Sequence, residues 1–185
     1  MSLQLQRRLL YIPIIHIDTN LINARQKLTS VNQLELWNEA GVILINMSST
    51  AYSEAQSGND FQRTKKANQQ IFTLTPTTPE TDDLFHEVEK ALFPKGAINE
   101  NQLNDVRIVC EAIKYNAILV TGDGASQSQP GGILGGRAKL REKLKILSPD
   151  EAVNYVRIKI QERDELNERI AKEINCKLPH WTRLD

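Results

Sequence analysis

The sequence predicts an α/β fold with a central, mostly parallel sheet and a long C-terminal helix. Short apolar runs alternate with helical segments, which is typical of strands joined by helical crossovers. These runs are apolar on both faces, as expected of strands that helices cover on each side. A strong helix start at Ser148 then opens a long charged segment.

The first predicted element is a strand over 11–17, short and rich in isoleucine. Helices are expected over 21–28 and 31–39. Ser30 is the expected N-cap of the second helix, and Gly41 is its stop.

A strand over 42–45 then leads into a helix that carries Glu54, and the polar residues 57–70 are also expected to be helical. Prolines and threonines predict a loop after them. Thr81 or Asp82 is the expected N-cap of the helix behind that loop.

The second half of the chain predicts a helix over 101–115 and strands over 117–121 and 144–147. The stretch between the two strands is rich in glycine, so the most flexible loop of the chain is expected there. Its glycines are Gly122, Gly124, Gly131, Gly132, Gly135 and Gly136. In the last helix, Ser148 is the expected N-cap, Pro149 takes the first helical position and Glu151 closes a capping box.

The length of 185 residues suits one domain with an appended helix, and we expect a domain over 1–155 and a helical extension over 156–185. No apolar run approaches the roughly 20 residues that a membrane helix needs, so no membrane partner is expected. Cys110 and Cys176 lie in unlike contexts, which favours free thiols and a reducing cytoplasm. Because the net charge is zero, any binding of nucleic acid would require a local basic patch.

Two aspartates follow predicted strands. Asp18 ends the first strand and Asp123 follows the strand over 117–121, so both are expected at the same edge of a parallel sheet. Asp105 shares a helix face with apolar neighbours and should therefore point inward, where a charge is costly unless it is paired or bound to metal. Glu54, on the helix after the second strand, is the fourth acid that we expect to join them.

Each acid also has a structural explanation that the sequence leaves open. Asp18 would serve as a helix N-cap, Asp123 as a turn residue and Asp105 as a carboxylate favoured by a helix dipole. Glu54 would be a solvated surface residue. The hypothesis of a shared site depends on the joint pattern.

Four segments, "IIHIDTNLI", "INMSSTAYSEAQ", "NDVRIVCEAIKYNAILVTGDGA" and "LKILSPDEAV", resemble the successive blocks of PIN-domain nucleases. The resemblance covers about residues 11–155. It implies a three-layer α/β/α PIN-like fold. Position by position, it also implies that Asp18, Glu54, Asp105 and Asp123 are the metal-binding and catalytic acids. Glu35 and Glu39 remain rivals of Glu54.

Crowded carboxylates repel one another, and a hard cation such as Mg²⁺ or Mn²⁺, which prefers oxygen ligands, relieves that repulsion. Such a site favours phosphodiester hydrolysis that leaves a 5′-phosphate and a 3′-hydroxyl. Thr19, Asn20 and Thr121 are expected to place hydroxyl or amide groups behind the ligands. RNA as the substrate follows from the resemblance alone.

Basic residues near the last strand are candidates for binding the nucleic-acid backbone, although the sequence favours a solvated helix face as their explanation. They are Arg137, Lys139, Arg141, Lys143 and Lys145, with a smaller cluster at Arg63, Lys65 and Lys66. The resemblance adds the toxin half of a toxin–antitoxin pair as an expectation. The apolar stripe of the last helix is expected to pack on its own domain, an antitoxin or a second subunit. A non-catalytic PIN-fold protein that binds RNA or protein is the alternative.

Overall fold

A computed structural model describes residues 4–22, 27–57, 60–70, 77–124 and 131–185 of the protein. Within these residues four strands form one parallel sheet in the order β2-β1-β3-β4. The strands are β1 (Ile15–Ile17), β2 (Ile45–Met47), β3 (Ile118–Val120) and β4 (Lys145–Leu147). The predicted α/β class and parallel sheet are confirmed.

The strands are in register at their carboxyl ends. Ile17 is aligned with Met47 on one side and with Val120 on the other. Val120 is in turn aligned with Leu147. The residues that follow the strands therefore meet at one edge of the sheet, where sites of parallel α/β proteins form.

The described residues also form seven α-helices. They are α1 (Thr29–Glu39), α2 (Ser49–Ser57), α3 (Phe61–Gln70), α4 (Asp83–Leu92), α5 (Glu100–Lys114), α6 (Gly132–Gly136) and α7 (Pro149–Glu173). Helix α1 contacts α7, whereas α2 contacts α3 and α5, and α4 contacts α5 and α6. This grouping follows from right-handed crossovers. Along the sheet the chain moves in one direction from β1 to β2 and in the opposite direction from β2 to β3 and β4, so the connecting helices cover opposite faces. The sheet therefore lies between two helical layers.

Apolar side chains from both helical layers close over the sheet. Leu34 of α1 and Val156 of α7 are fully buried on one side, and Phe85 of α4 and Val109 of α5 are buried on the other. Burying such a side chain stabilises the fold by roughly 1.5–3 kcal/mol. This core holds the carboxyl edge of the sheet in place.

Helix α7 begins as the sequence predicts. Ser148 accepts a hydrogen bond from the Glu151 backbone, the Glu151 side chain accepts one from the Ser148 backbone, and Pro149 occupies the first turn. The helix runs unbroken through residue 155, so the division into 1–155 and 156–185 remains a prediction. Most of the apolar stripe of the helix is buried within the chain, namely Val153, Val156, Ile160 and Ile170.

A buried polar cluster ties the C-terminal tail to α7 and to the N-terminal segment. Asp185 accepts hydrogen bonds from Arg8 at 2.6 Å and from Arg163 at 3.0 Å. Asp164, beside Arg163 on α7, accepts one from the backbone of Arg183 at 2.9 Å. The Arg163 guanidinium also lies 4.4 Å from the centre of the Trp181 ring. The tail therefore packs on its own domain.

Four local predictions in the first half of the chain are wrong. The first strand begins at Ile15 rather than at residue 11. The helix expected over 21–28 is not found in its described residues: a single 3₁₀ turn ends at Leu21, and the backbone is extended at Ile22. Helix α1 starts one residue before Ser30, whose hydroxyl donates to Asp150 of α7 instead of capping. The second strand starts at Ile45 rather than at residue 42.

The glycine-rich stretch differs from the expected loop at its end, because Gly132–Gly136 is a short helix. Residues 125–130 lie outside the described residues.

Cys110 is buried and Cys176 is exposed, and both are free thiols. Across the described ranges, every helix is too short or too polar to span a bilayer.

Candidate metal centre

The four predicted acids line one pocket of about 390 Å³ at the carboxyl edge of the sheet. Asp18 follows β1, Asp123 follows β3, Glu54 comes from α2 and Asp105 comes from α5. The remaining lining residues are Thr19, Asn20, Arg63 and Asn101. The fold thus brings together side chains that lie far apart in the sequence.

Asp18 is buried and is held by three donors. Its carboxylate accepts hydrogen bonds from the Thr121 hydroxyl at 2.6 Å, the Asn20 amide at 2.9 Å and the Thr19 backbone at 2.6 Å. It also occupies the N-cap position of the 3₁₀ turn Thr19–Leu21, so the capping explanation holds alongside the site. Thr19, Asn20 and Thr121 thus all donate to this acid, and their role behind a metal ligand stays a prediction.

Glu54 is fixed from both sides. Its Oε2 accepts a hydrogen bond from the Thr19 hydroxyl at 2.7 Å, and its Oε1 accepts one from the Asn104 amide at 2.9 Å. The rival acid Glu35 forms an ion pair with Lys66 at 2.7 Å. Glu54 is therefore the acid from this part of the chain that lines the pocket.

Asp123 is held by the start of α6. Its Oδ2 accepts a hydrogen bond from the Ile133 backbone at 2.8 Å. Gly132, with a φ of +68°, makes this approach possible, because a Cβ at that position would lie 1.9 Å from Asp123 Oδ2. Gly124 is equally close-packed: a Cβ there would lie 1.6 Å from the carbonyl oxygen of Gly131. The backbones at Gly124 and Gly131 therefore touch beside Asp123.

Asp105 lies near the start of α5, whose N-terminus is capped by Asn99. Its helix buries Val106, Ile108 and Val109, so the inward orientation expected from the sequence is found. Within the described part of the chain, no hydrogen-bond donor contacts the Asp105 carboxylate. Burial, and then the charges of the other three acids, raise the pKa of Asp105 to about 8.

The same causes act on Asp18. Burial raises the pKa of Asp18 to about 6, and the charges of Glu54 and Asp123 add to this effect. The hydrogen bonds from Thr121 and Thr19 oppose it, because they favour the charged carboxylate. At neutral pH the metal-free pocket therefore keeps a proton on Asp105, and a bound cation would replace that proton.

A hard divalent cation fits this donor set. The four acids offer carboxylate oxygens, and the described lysines and arginines form no ion pair with them. However, no three described His, Cys, Asp or Glu side chains lie close enough together to form a ready-made metal-binding group. Asp18, Glu54 and Asp123 are each held by their own hydrogen bonds, so closing around an ion requires side-chain movement.

The basic residues near β4 are largely neutralised. Arg137 pairs with Glu151 at 2.6 Å, Lys143 with Glu87 at 3.0 Å and Arg141 with Glu142 at 3.2 Å. Lys139 donates to the carbonyl of Ala91 at 2.9 Å. These contacts favour the explanation of a solvated surface, and a role in nucleic-acid binding stays a prediction.

Sequence reasoning missed two supporting side chains. Asn104 precedes Asp105 and bonds Glu54, and Arg107 donates to Asn104 at 2.7 Å. Buried Glu111 accepts hydrogen bonds from Thr50 at the start of α2, including the Thr50 hydroxyl at 2.5 Å. A buried glutamate in an apolar stretch was the available signal for Glu111, whereas nothing in the sequence singled out Asn104.

No known family model matches the chain, and no curated protein matches it. Among solved structures it is similar to the crystal structure of VapBC2 from Rickettsia felis bound to a DNA fragment from their promoter. The two are 23% identical, with a TM-score of 0.48, over 73% of this chain and 98% of that chain.

Proposed function

We propose that this protein is a metal-dependent ribonuclease that hydrolyses RNA phosphodiester bonds. The observation that carries the proposal is the environment of the Asp105 carboxylate. Its carboxylate has no donor within the described residues, shares a pocket with three other acids and has a pKa raised to about 8. Such a group requires either a proton or a cation at neutral pH.

Asp18, Asp105 and Asp123 would hold Mg²⁺ or Mn²⁺, directly or through water, and Glu54 would orient water or complete a second site. When bound, the ion supplies charge neutralisation on the phosphate and a more acidic bound water. The chain supplies the orientation of the acids. Thr121 and Asn20 hold Asp18, and Thr19 and Asn104 hold Glu54.

The biological setting is part of the proposal and rests on the resemblance of the four sequence segments to PIN-domain nucleases. In that setting the protein is a cytoplasmic toxin whose partner is an antitoxin protein. A homodimer through α7 is a weaker element of the proposal, because most of its apolar stripe is buried within one chain.

Cleavage of varied RNAs with Mg²⁺ or Mn²⁺ tests the activity. The parent should cleave, and Asp18→Asn and Asp123→Asn should each lose at least about 100-fold in rate, since each removes a charge that the ion needs. Asp83→Asn is the matched control, because Asp83 is exposed on α4, outside the pocket. Chelation with EDTA should abolish cleavage by the parent and by the control alike.

A non-catalytic binding module is the second candidate. It is favoured by one observation: the described acids do not form a ready-made metal-binding group. If the parent is as inert as Asp18→Asn on every RNA tested, while calorimetry finds no Mn²⁺ binding, the binding module replaces the nuclease.

A further inference from the structure

Arg63 is the described cationic residue that lines the acid pocket. It lies in the first turn of α3, where Asp60 accepts hydrogen bonds from the backbones of Gln62 and Arg63. Its Nη2 donates to the carbonyl oxygen of Thr19 at 2.8 Å. This carbonyl follows Asp18 directly, so the guanidinium is fixed at the rim of the site.

Arg63 has no acid partner among the described residues. Within the described ranges no carboxylate lies at ion-pair distance from it, although four carboxylates line the same pocket. On the same helix, Lys66 pairs with Glu35 at 2.7 Å. The charge of Arg63 therefore faces the pocket without being neutralised.

The position of Arg63 is also unfavourable for the helix. A cation in the first turn opposes the helix dipole, which is unfavourable for the helix. A guanidinium has five N–H donors, and the contact with Thr19 uses one of them. Residues that oppose the local structural preference in this way are concentrated at functional sites, where their side chains contact a ligand.

We propose that Arg63 binds a non-bridging oxygen of the nucleic-acid phosphate that enters the acid pocket. The inference rests on the proposed function and adds to it a phosphate-binding residue. A phosphate carries the negative oxygens that match a planar guanidinium, and its far side would meet the cation held by the acids. The pocket of about 390 Å³ between them is large enough for such a group.

Thr19 couples Arg63 to the acids. Its backbone N–H bonds Asp18 at 2.6 Å, its hydroxyl bonds Glu54 at 2.7 Å and its carbonyl accepts from Arg63 at 2.8 Å. One residue thus fixes a cation and two acids relative to each other. This is the preorganisation that phosphate binding requires.

The test uses Arg63→Gln, with Lys172→Gln as the matched control, because Lys172 is exposed near the end of α7, lies outside both basic clusters and gives the same change in net charge. Two affinities are measured: that of Mn²⁺ by calorimetry, and that of a short fluorescent single-stranded RNA in the presence of Mn²⁺. Loss of a charge-assisted hydrogen bond should weaken RNA binding by about 10- to 100-fold in Arg63→Gln. Lys172→Gln should stay within about threefold of the parent.

The affinity for Mn²⁺ separates phosphate binding from a structural role. Removing a positive charge beside the acids should leave Mn²⁺ affinity unchanged or raise it. If Mn²⁺ affinity and the melting temperature fall together with RNA affinity, Arg63 is a structural brace and the inference is overturned. It is equally overturned if Arg63→Gln binds RNA as tightly as the parent.

The outcome also separates this inference from the nuclease proposal. RNA binding that depends on Arg63, without cleavage by the parent, supports the phosphate site and contradicts the nuclease. Cleavage by Arg63→Gln with the kcat and KM of the parent contradicts the phosphate site and supports the nuclease. A parent that binds neither Mn²⁺ nor RNA contradicts both.

Discussion

The Thr121 hydroxyl donates to Asp18 Oδ2 at 2.6 Å and accepts a hydrogen bond from the Asp123 backbone at 2.9 Å. One small side chain therefore links the acids that follow β1 and β3. A hydroxyl has one donor and two acceptor positions. Here the donor serves the carboxylate of Asp18, and an acceptor position serves the backbone N–H of Asp123. The Thr121 side chain is fully buried, so solvent does not replace these bonds.

Thr121→Val keeps the shape of the side chain and removes its hydroxyl. We expect Mn²⁺ affinity to fall by about 10- to 100-fold, as for other groups that orient metal ligands. The pKa of Asp18 should rise further, because the hydrogen bond from Thr121 lowers it. Calorimetry checks the affinity, and Thr121→Ser, which retains the hydroxyl, should remain close to the parent. Equal affinities of the valine and serine variants would refute the role of the hydroxyl.

Asp105→Asn should stabilise the metal-free protein at alkaline pH. The pKa of Asp105 is about 8 in the folded protein, against an ordinary value of 3.8, so the folded state retains the proton to higher pH. The parent therefore loses stability as the pH rises from about 4 to about 8, and the variant does not share that loss. Above pH 8 in EDTA, the variant should melt about 2–6 °C higher than the parent.

The comparison has two internal checks. Below about pH 3 the melting temperatures of the parent and of Asp105→Asn should converge, because Asp105 is then protonated in the folded and in the unfolded state. Adding Mg²⁺ at pH 8 should raise the melting temperature of the parent more than that of the variant. A constant difference between the two proteins across the whole pH range would show that the effect has another cause.

Gly132→Ala should displace Asp123, since the new Cβ would lie 1.9 Å from its carboxylate oxygen. We expect Mn²⁺ affinity and cleavage to fall by at least about tenfold. Gly41→Ala is the matched control, because Gly41 also has a positive φ, of +71°, but nothing within 4 Å of its Cβ position. The control should lose about 1 kcal/mol of stability and keep its metal affinity. Similar metal affinities for the two variants would exclude the steric explanation.

Arg163→Met should destabilise the fold by about 3–5 kcal/mol, because it leaves the carboxylate of Asp164 buried without a cation and leaves Asp185 with Arg8 alone. Their side chains are 3% and 1% exposed, and that of Arg163 is 4% exposed. Urea unfolding measures the change. Arg157→Met, at an exposed position of the same helix, should change stability by less than about 0.5 kcal/mol. A loss below about 1 kcal/mol in Arg163→Met would mean that the tail contributes little.

The features predicted correctly from the sequence are those set by neighbouring residues. The capping box of Ser148 and Glu151 lies within one helical turn, and Asp18 follows its strand directly. The inward face of Asp105 follows from apolar spacing along α5. In each case the determining residues are close enough in the chain to be read together.

The features that were missed depend on distant partners. Ser30 was expected to cap α1, but its hydroxyl bonds Asp150, 120 positions away. Gly132 is required by the position of the Asp123 side chain, which becomes evident only in three dimensions. The helix expected over 21–28 has the composition of a helix, yet the 3₁₀ turn capped by Asp18 redirects the chain at Ile22.

The contact between the backbones of Gly124 and Gly131 means that the chain leaves the pocket and returns to it at one point. Whatever is inserted between these two residues does not have to bridge any span of the fold. The entropy of closing such an insert grows only slowly with its length. Natural variation or protein engineering would thus be free to alter the number of residues between them, while the anchoring of Asp123 and the path into β4 stay the same.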